Sequence, residues 1–360
     1  MTGRTFTVGT GSGNLTINGA TLGDGLLAND VVEIAPGTYN VITIQHISIT
    51  SGRVTIRSQS SRISVAEIIQ NNIVGAIIEN IDIRGGTQFN ILFNGNNRPY
   101  RNITYRQLTF TGATNFCIAH SNPTAYNPSD IDTVLDNITF EDNEFVNCLQ
   151  ISLGGNILTN TGKVRRLMFR GNTFRNLNDN FDFGDGEGTD GSRVCPQYLI
   201  QVQNAEDYDF DGNYFYKIYR SSLHVSMVLV YGWGKVRNNR AYKYRGQIAR
   251  QWIFAYEWGR SSYFYNNVGE WSYNYSLAEC QTTSAMASNP NFVPSDYYCL
   301  FNTAHNIGID EYTGIGGWQA VILDNYGLQG ATYISQTMWG CRLNRGILPL
   351  MTHGGGILAC

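Results

Sequence analysis

The densest group of reactive side chains falls between Asn178 and Gly191, where Asp179, Asp182, Asp185, Glu187 and Asp190 lie within twelve residues. Carboxylates so close together suit two kinds of chemistry. Hydrolysis of a glycoside uses two of them, one to protonate the leaving oxygen and one to activate water or attack carbon, and Asp179, Asp182 and Asp185 could supply that pair. Elimination from a uronic acid needs a base instead, a role open to Arg220 or His224, with a calcium ion neutralising the sugar's charge. Asp185, Glu187 and Asp190 are the expected calcium ligands. Asp-Gly and Gly-Glu-Gly are also common in solvated loops, so the acidic cluster alone does not choose between these chemistries and a plain surface loop.

The elements that would position this group are written in a repeated phrase. Ile138-Thr-Phe140-Glu-Asp-Asn143-Glu-Phe145 returns as Leu167-Met-Phe169-Arg-Gly-Asn172-Thr-Phe174 and again as Tyr208-Asp-Phe210-Asp-Gly-Asn213-Tyr-Phe215. Looser copies end at Asn239, Asn267, Asn302 and Asn325. Alternating apolar residues read as short strands with one buried face, and the Asn marks a turn. Stacked about 4.8 Å apart, equivalent Asn side chains can hydrogen-bond along a ladder. Apolar-alternating segments upstream, such as Val31–Ile34, Val41–Ile44 and Val54–Ile56, fit the same short-strand pattern.

This pattern resembles the right-handed parallel β-helix superfamily that includes pectate lyases, polygalacturonases and phage tailspikes, and the opening phrase Val31 to Tyr39 is similar to a first coil of that group. The resemblance implies one right-handed parallel β-helix of roughly 10–12 coils over residues 1–345, with 346–360 as a C-terminal cap. It is architectural and fixes no activity. The adjacent Asp-Asp and the Gly-His-Gly of polygalacturonase-like enzymes are both missing from the sequence.

Within such a repeat, spacing points to the working surface. Asn143 to Asn172 takes 29 positions and Asn239 to Asn267 takes 28, whereas Asn172 to Asn213 takes 41. The extra dozen residues hold the acidic cluster, and lesser swellings run from His120 to Asp132 and from Cys280 to Asp296. Long loops on a rigid scaffold commonly carry function. Aligning coils by their Asn sets Ser152, Asp182 and His224 in one outward column, and sets Asp179 opposite Arg220.

Composition narrows the partners. A net charge of -3 excludes nucleic-acid binding by bulk charge, and no apolar stretch reaches the roughly 20 residues of a membrane span. The aromatic residues crowd the second half, where Trp252, Tyr256, Trp258 and Trp271 are the expected sugar-stacking residues. The same rings would suit a subunit interface, such as that of a homotrimer, or a wide core. Seven cysteines show no metal-binding spacing, and Cys280 with Cys299 is the pair to test for a disulfide. The chain opens without a signal-peptide pattern, which suits either a mature secreted form or a virion component. The leading expectation is a carbohydrate-active protein that binds a polysaccharide or cell-surface glycan along a lateral groove and cleaves it as a lyase or hydrolase. Its rival is a non-catalytic structural or adhesion protein such as a tailspike.

Overall fold

A computed structural model describes residues 3–86, 88–94, 99–112, 116–121, 134–158, 160–175, 198–218, 226–244, 246–253, 255–257, 259–272, 277–281, 291–293, 296–307, 321–323 and 333–335. The chain divides into two compact units, Met1–Asn172 and Thr173–Cys360. The expected cap at 346–360 lies outside the described residues.

In the first unit every strand pairing is parallel, and each wall is built from segments one turn of chain apart. One wall runs through Thr5–Val8, Val31–Ile34, Val54–Ser58, the end of Ile63–Glu79, Tyr100–Arg106, Leu135–Glu141 and Val164–Arg170. Its inward column starts aliphatic at Val32, Ile56 and Ile78, then turns aromatic at Tyr105, Phe140 and Phe169, whose rings stack at 4.8 and 4.7 Å. Its outward column alternates in charge: Glu33, Arg57, Glu79, Arg106, Glu141 and Arg170 stand in register, and pairs form at 2.8, 2.6 and 3.9 Å. Such exposed pairs contribute at most about 1 kcal/mol each, but a slip of one residue would turn them into the core.

The asparagines of the repeated phrase form buried hydrogen-bonded ladders. In the first unit the Asn143 N–H and side-chain amide both donate to Asn172 Oδ1, at 3.0 and 2.9 Å. In the second, Asn213, Asn239, Asn267 and Asn302 are linked the same way. Asn143, Asn172, Asn239, Asn267 and Asn302 also each donate a side-chain amide proton to a carbonyl of the preceding coil, as Asn239 does to Phe210 O at 2.9 Å. The residue before each ladder Asn sits in the left-handed region: Asp142, Gly171, Gly212, Asn238, Asn266 and Phe301. Gly, Asn and Asp tolerate that conformation best; Phe301 does not share the tolerance, and its side chain is exposed.

These topologies correct the expectation of a single right-handed parallel β-helix of 10–12 coils. In place of one solenoid of separate three- and four-residue strands, there are two compact units, each enclosed by parallel sheet that runs on from wall to wall and is closed by the Asn turn. The strand Ile63–Glu79 is 17 residues long and Tyr198–Asp211 is 14. The physical reason lies at the corners. Left-handed residues inside these strands, Asn72 and Gly75 in one and Asn204 and Asp207 in the other, bend the chain without breaking its pairing. At the matching bend of Ser226–Arg237, a Cβ on Gly232 would lie 1.8 Å from Ala205 O, so only glycine fits that approach.

Candidate functional site

Asp179, Asp182, Asp185, Glu187, Asp190, Arg220, His224 and Trp258 all lie outside the described residues. Of the expected set, Trp252 and Tyr256 are described in full, and Trp271 falls in the strand Val268–Ser272. Ser152, expected to face outward, is fully buried. The Cys280–Cys299 disulfide is not formed. Cys299 is a buried free thiol whose sulfur lies 3.4 Å from Asn302 Nδ2, and burial pushes it up to about 12.

A candidate face is built from two strands of the second unit. Ser226–Arg237 and Gln247–Ile253 pair in parallel, with Leu229 opposite Arg250 and Tyr231 opposite Trp252. Alternation sends Val228, Val230, Ala249 and Gln251 to the interior. It sends Met227, Leu229, Tyr231, Ile248, Arg250 and Trp252 to the outer face, where Met227, Leu229 and Ile248 are also buried. This wall is therefore largely buried on both sides, as parallel sheet commonly is, with Arg250 buried on the outer face and Gln251 on the inner one. Into that setting project Tyr231 and Trp252, both half-buried, with rings edge to face at 4.2 Å. Burial raises the Tyr231 phenol, with Tyr198 adding to the rise and Arg250 opposing it. The Trp252 indole N–H is buried and, among the described residues, has no hydrogen-bond partner.

Two more aromatic groups are described in the second unit. The Arg260 guanidinium lies 4.8 Å over the Trp233 ring and pairs with Glu257. Tyr256 meets Phe292 edge to face at 5.0 Å, held by the antiparallel bridge of Ala255 to Val293. Burial, and then the charge of Glu206, push the Tyr256 phenol up to about 12.

Ring geometry separates these residues from other aromatics of the same unit. Tyr216 stacks on Tyr242 at 6.1 Å and 6°, Tyr263 on Tyr298 at 5.0 Å and 14°, and Phe174 on Phe215 at 5.0 Å and 14°. Those rings use their faces on one another, strand to strand. An edge-to-face pair leaves ring face uncommitted. The arrangement at Tyr231 and Trp252 can present that face to a partly apolar molecule. Sequence reading singled out Trp252 but missed Tyr231, its partner 21 residues earlier, because that turn is shorter than the 28- and 29-residue spacing of the Asn repeat. Among the described residues, no three His, Cys, Asp or Glu side chains are grouped to hold a metal ion. The expected calcium ligands are not among those residues.

No protein-family model matches the chain, and no curated protein does. Among solved structures, Geobacillus virus E2 ORF18 is similar at 13% identity and a TM-score of 0.29, over 81% of this chain and 55% of that one. The catalytic domain of a GH87 alpha-1,3-glucanase in complex with nigerose is similar at 9% identity and a TM-score of 0.22, over 91% of this chain and 64% of that one. The chain thus spans between half and two thirds of the length of these structures. Likenesses this weak carry no argument about fold or activity.

Proposed function

We propose that the second unit binds a polysaccharide at the outer face around Tyr231 and Trp252. The observation that carries this reading is the Trp252 side chain: half-buried and set edge to face against Tyr231, so that ring face stays uncommitted. A pyranose stacked there would cover apolar ring area. Cleavage of the bound chain is a second part of the proposal and rests on the sequence group Asp179, Asp182, Asp185, Arg220 and His224. A glycan ligand also fits work outside the cell or on a virion surface.

Affinity electrophoresis through gels containing neutral and acidic polysaccharides tests binding. At least one polysaccharide should retard the protein, and Trp252→Ala should weaken that retardation about tenfold, equivalent to about 1.4 kcal/mol. Tyr216→Ala, in the stacked series, should leave it unchanged. Equal retardation of Trp252→Ala and the parent protein, or none by any polysaccharide, overturns the proposal. Release of reducing ends or unsaturated sugars, lost in Asp182→Ala and His224→Ala while retardation persists, marks an enzyme; retardation without product marks an adhesion protein.

A further inference from the structure

The inward column of the first unit's charged wall finishes on an aromatic ring. Phe6 stands in register with Val32, and through it with Ile56 and Ile78, yet Phe6 is half-buried where the other three are fully buried. Among the described residues, Thr5–Val8 pairs only with Val31–Ile34, so the ring takes its cover from elsewhere. That cover is the segment 19–30, which leaves the strand Ser12–Asn18 and returns at Val31. Its single 3-10 turn, Leu22–Asp24, lies against the ring: a Cβ on Gly23 would fall 2.3 Å from Phe6 Cε1, and Gly23 has a left-handed backbone at φ 58°. The Arg4 guanidinium sits 4.9 Å over the same ring. Arg4 also fastens the segment. Its side chain donates to Gly23 O and Gly25 O, both at 2.7 Å, and to the Asp30 carboxylate at 2.6 Å. Asp30 is 2% exposed and accepts from the Arg4 and Leu27 backbone N–H groups as well, each at 2.9 Å.

We infer that residues 19–30 form a strap, latched by Arg4 and Asp30, that opens as one piece and uncovers Phe6 while the walls beneath stay folded. Apart from the latch, the segment is thinly attached. Leu26 is its one buried apolar side chain, whereas Val31–Ile34 buries Val32 and Ile34, and Thr38–Ser48 buries Tyr39, Ile42, Ile44 and Ile47. Backbone bonds to the next turn stand at its two ends, Gly19 N–H to Gln45 O and Asn29 N–H to Arg53 O, both at 2.8 Å. Between them, the Leu26 N–H returns to Gly19 O and the Gly25 N–H to Leu22 O, inside the segment. Regions with few buried apolar contacts are the ones that open locally, below the free energy of global unfolding. The latch matters because one guanidinium holds Gly23, Gly25 and Asp30 together, so its release frees the turn over the ring and the return to Val31 at once. Hydrogen bonds between charged groups are also about twice as strong as neutral ones.

Hydrogen exchange on the full-length folded protein, read residue by residue, tests the strap. Leu26 is the reporter, because its N–H bonds Gly19 O and neither partner of the latch. Val32 and Ile34 report the wall beneath. In the parent protein Leu26 should exchange at least about tenfold faster than Val32 and Ile34. Asp30→Asn keeps the shape of the side chain without its charge, and should speed Leu26 about tenfold more while leaving Val32 and Ile34 unchanged. Gly23→Ala loosens the strap from its other side, pressing a Cβ on Phe6 with the latch intact, and should act in the same direction. Leu26 exchanging in step with Val32 and Ile34 overturns the inference, because the segment would then open only with the whole core. It is equally overturned if neither variant speeds Leu26, or if both fail to fold, which would make the segment part of the wall and not a strap across its end.

Discussion

Among the described residues, the interior of each unit sets a fully buried glutamine among tyrosine hydroxyls, Gln70 in the first and Gln251 in the second, and the two amides are served differently. In the second unit Gln251 uses both ends: its Nε2 donates to Tyr208 Oη at 2.8 Å, and its Oε1 accepts from Tyr297 Oη at 3.2 Å. In the first, Gln70 Oε1 accepts from Tyr105 Oη at 2.6 Å and its backbone carbonyl from Tyr100 Oη at 2.6 Å. Its Nε2 is buried and, among the described residues, has no partner. The first interior also carries a titratable ring, since Ile17, Ile44, Gln70, Phe93 and His120 occupy one column in register. Burial pushes the phenol of Tyr105 well up, and that of Tyr100 in the same sense. A buried polar network strengthens a core in proportion to how fully it is satisfied. On that rule the second glutamine supports its unit, and the first is close to neutral.

The largest test of the contrast is Gln251→Leu. It keeps side-chain volume but withdraws the bonds to two buried hydroxyls, each worth roughly 1–3 kcal/mol when left unmade. A loss of about 4 kcal/mol is expected, read as a fall in the urea midpoint. A loss below about 1 kcal/mol would show that Tyr208 and Tyr297 do not depend on the amide, and the contrast between the units would collapse.

The second test uses pH, to which Gln251 is indifferent and His120 is not. His120 is fully buried, its ring edge to face with Phe93 at 6.4 Å, and desolvation holds its imidazole down to about 3. The folded form therefore keeps His120 neutral where the unfolded chain, titrating near 6.5, binds a proton. Stability contributed by this group is complete above about pH 7, falls as pH drops below 6.5, and levels off only below about 3. Between pH 7 and pH 5 the loss is about 2 kcal/mol. Urea midpoints measured across that range for the parent protein and His120→Leu should diverge in slope, the variant being flatter. Parallel slopes would mean that the buried imidazole is not the source.

Much of this organisation was legible in the sequence, and the reason is periodicity. The Asn ladder could be read because Asn143, Asn172, Asn213, Asn239, Asn267 and Asn302 each close the same phrase. Continuity of the walls could not. Corners are turned by residues such as Asn72, Asn204, Asp207 and even Arg166 in left-handed conformations, and these lie outside the repeated phrase, where no recurring pattern separates a turn inside a continuous strand from a break between strands. Short apolar segments therefore looked like separate strands of a single right-handed β-helix. The interior polar groups were equally hidden. Gln70 lies 35 residues from Tyr105 and Gln251 lies 46 from Tyr297, so each looks like an ordinary surface amide until register is known. At the candidate site, composition singled out Trp252 for its residue type alone. Its selection over the tyrosines rests on ring geometry, which separates the edge-to-face Trp252 from stacked Tyr216 and Tyr242.

The smallest expected effect is also the most discriminating. Gln70→Leu takes away the acceptor for the Tyr105 hydroxyl, which is unfavourable, and at the same time removes a buried donor that had no partner, which is favourable. The two terms are of the same size and opposite sign, so the net change should stay below about 1 kcal/mol. Adding Tyr105→Phe removes the hydroxyl as well and leaves an apolar contact in place of a polar one. The double variant should then be at least as stable as the parent, because replacing both partners of a buried bond by apolar groups of similar shape is close to neutral. The corresponding double variant in the second unit, Gln251→Leu with Tyr208→Phe, should remain destabilised, since the hydroxyl of Tyr297 still loses its bond to the amide. Urea midpoints for the two double variants decide the matter. Equal losses in both would mean that the amides play the same part, and that the unpaired Nε2 of Gln70 makes no difference to its core.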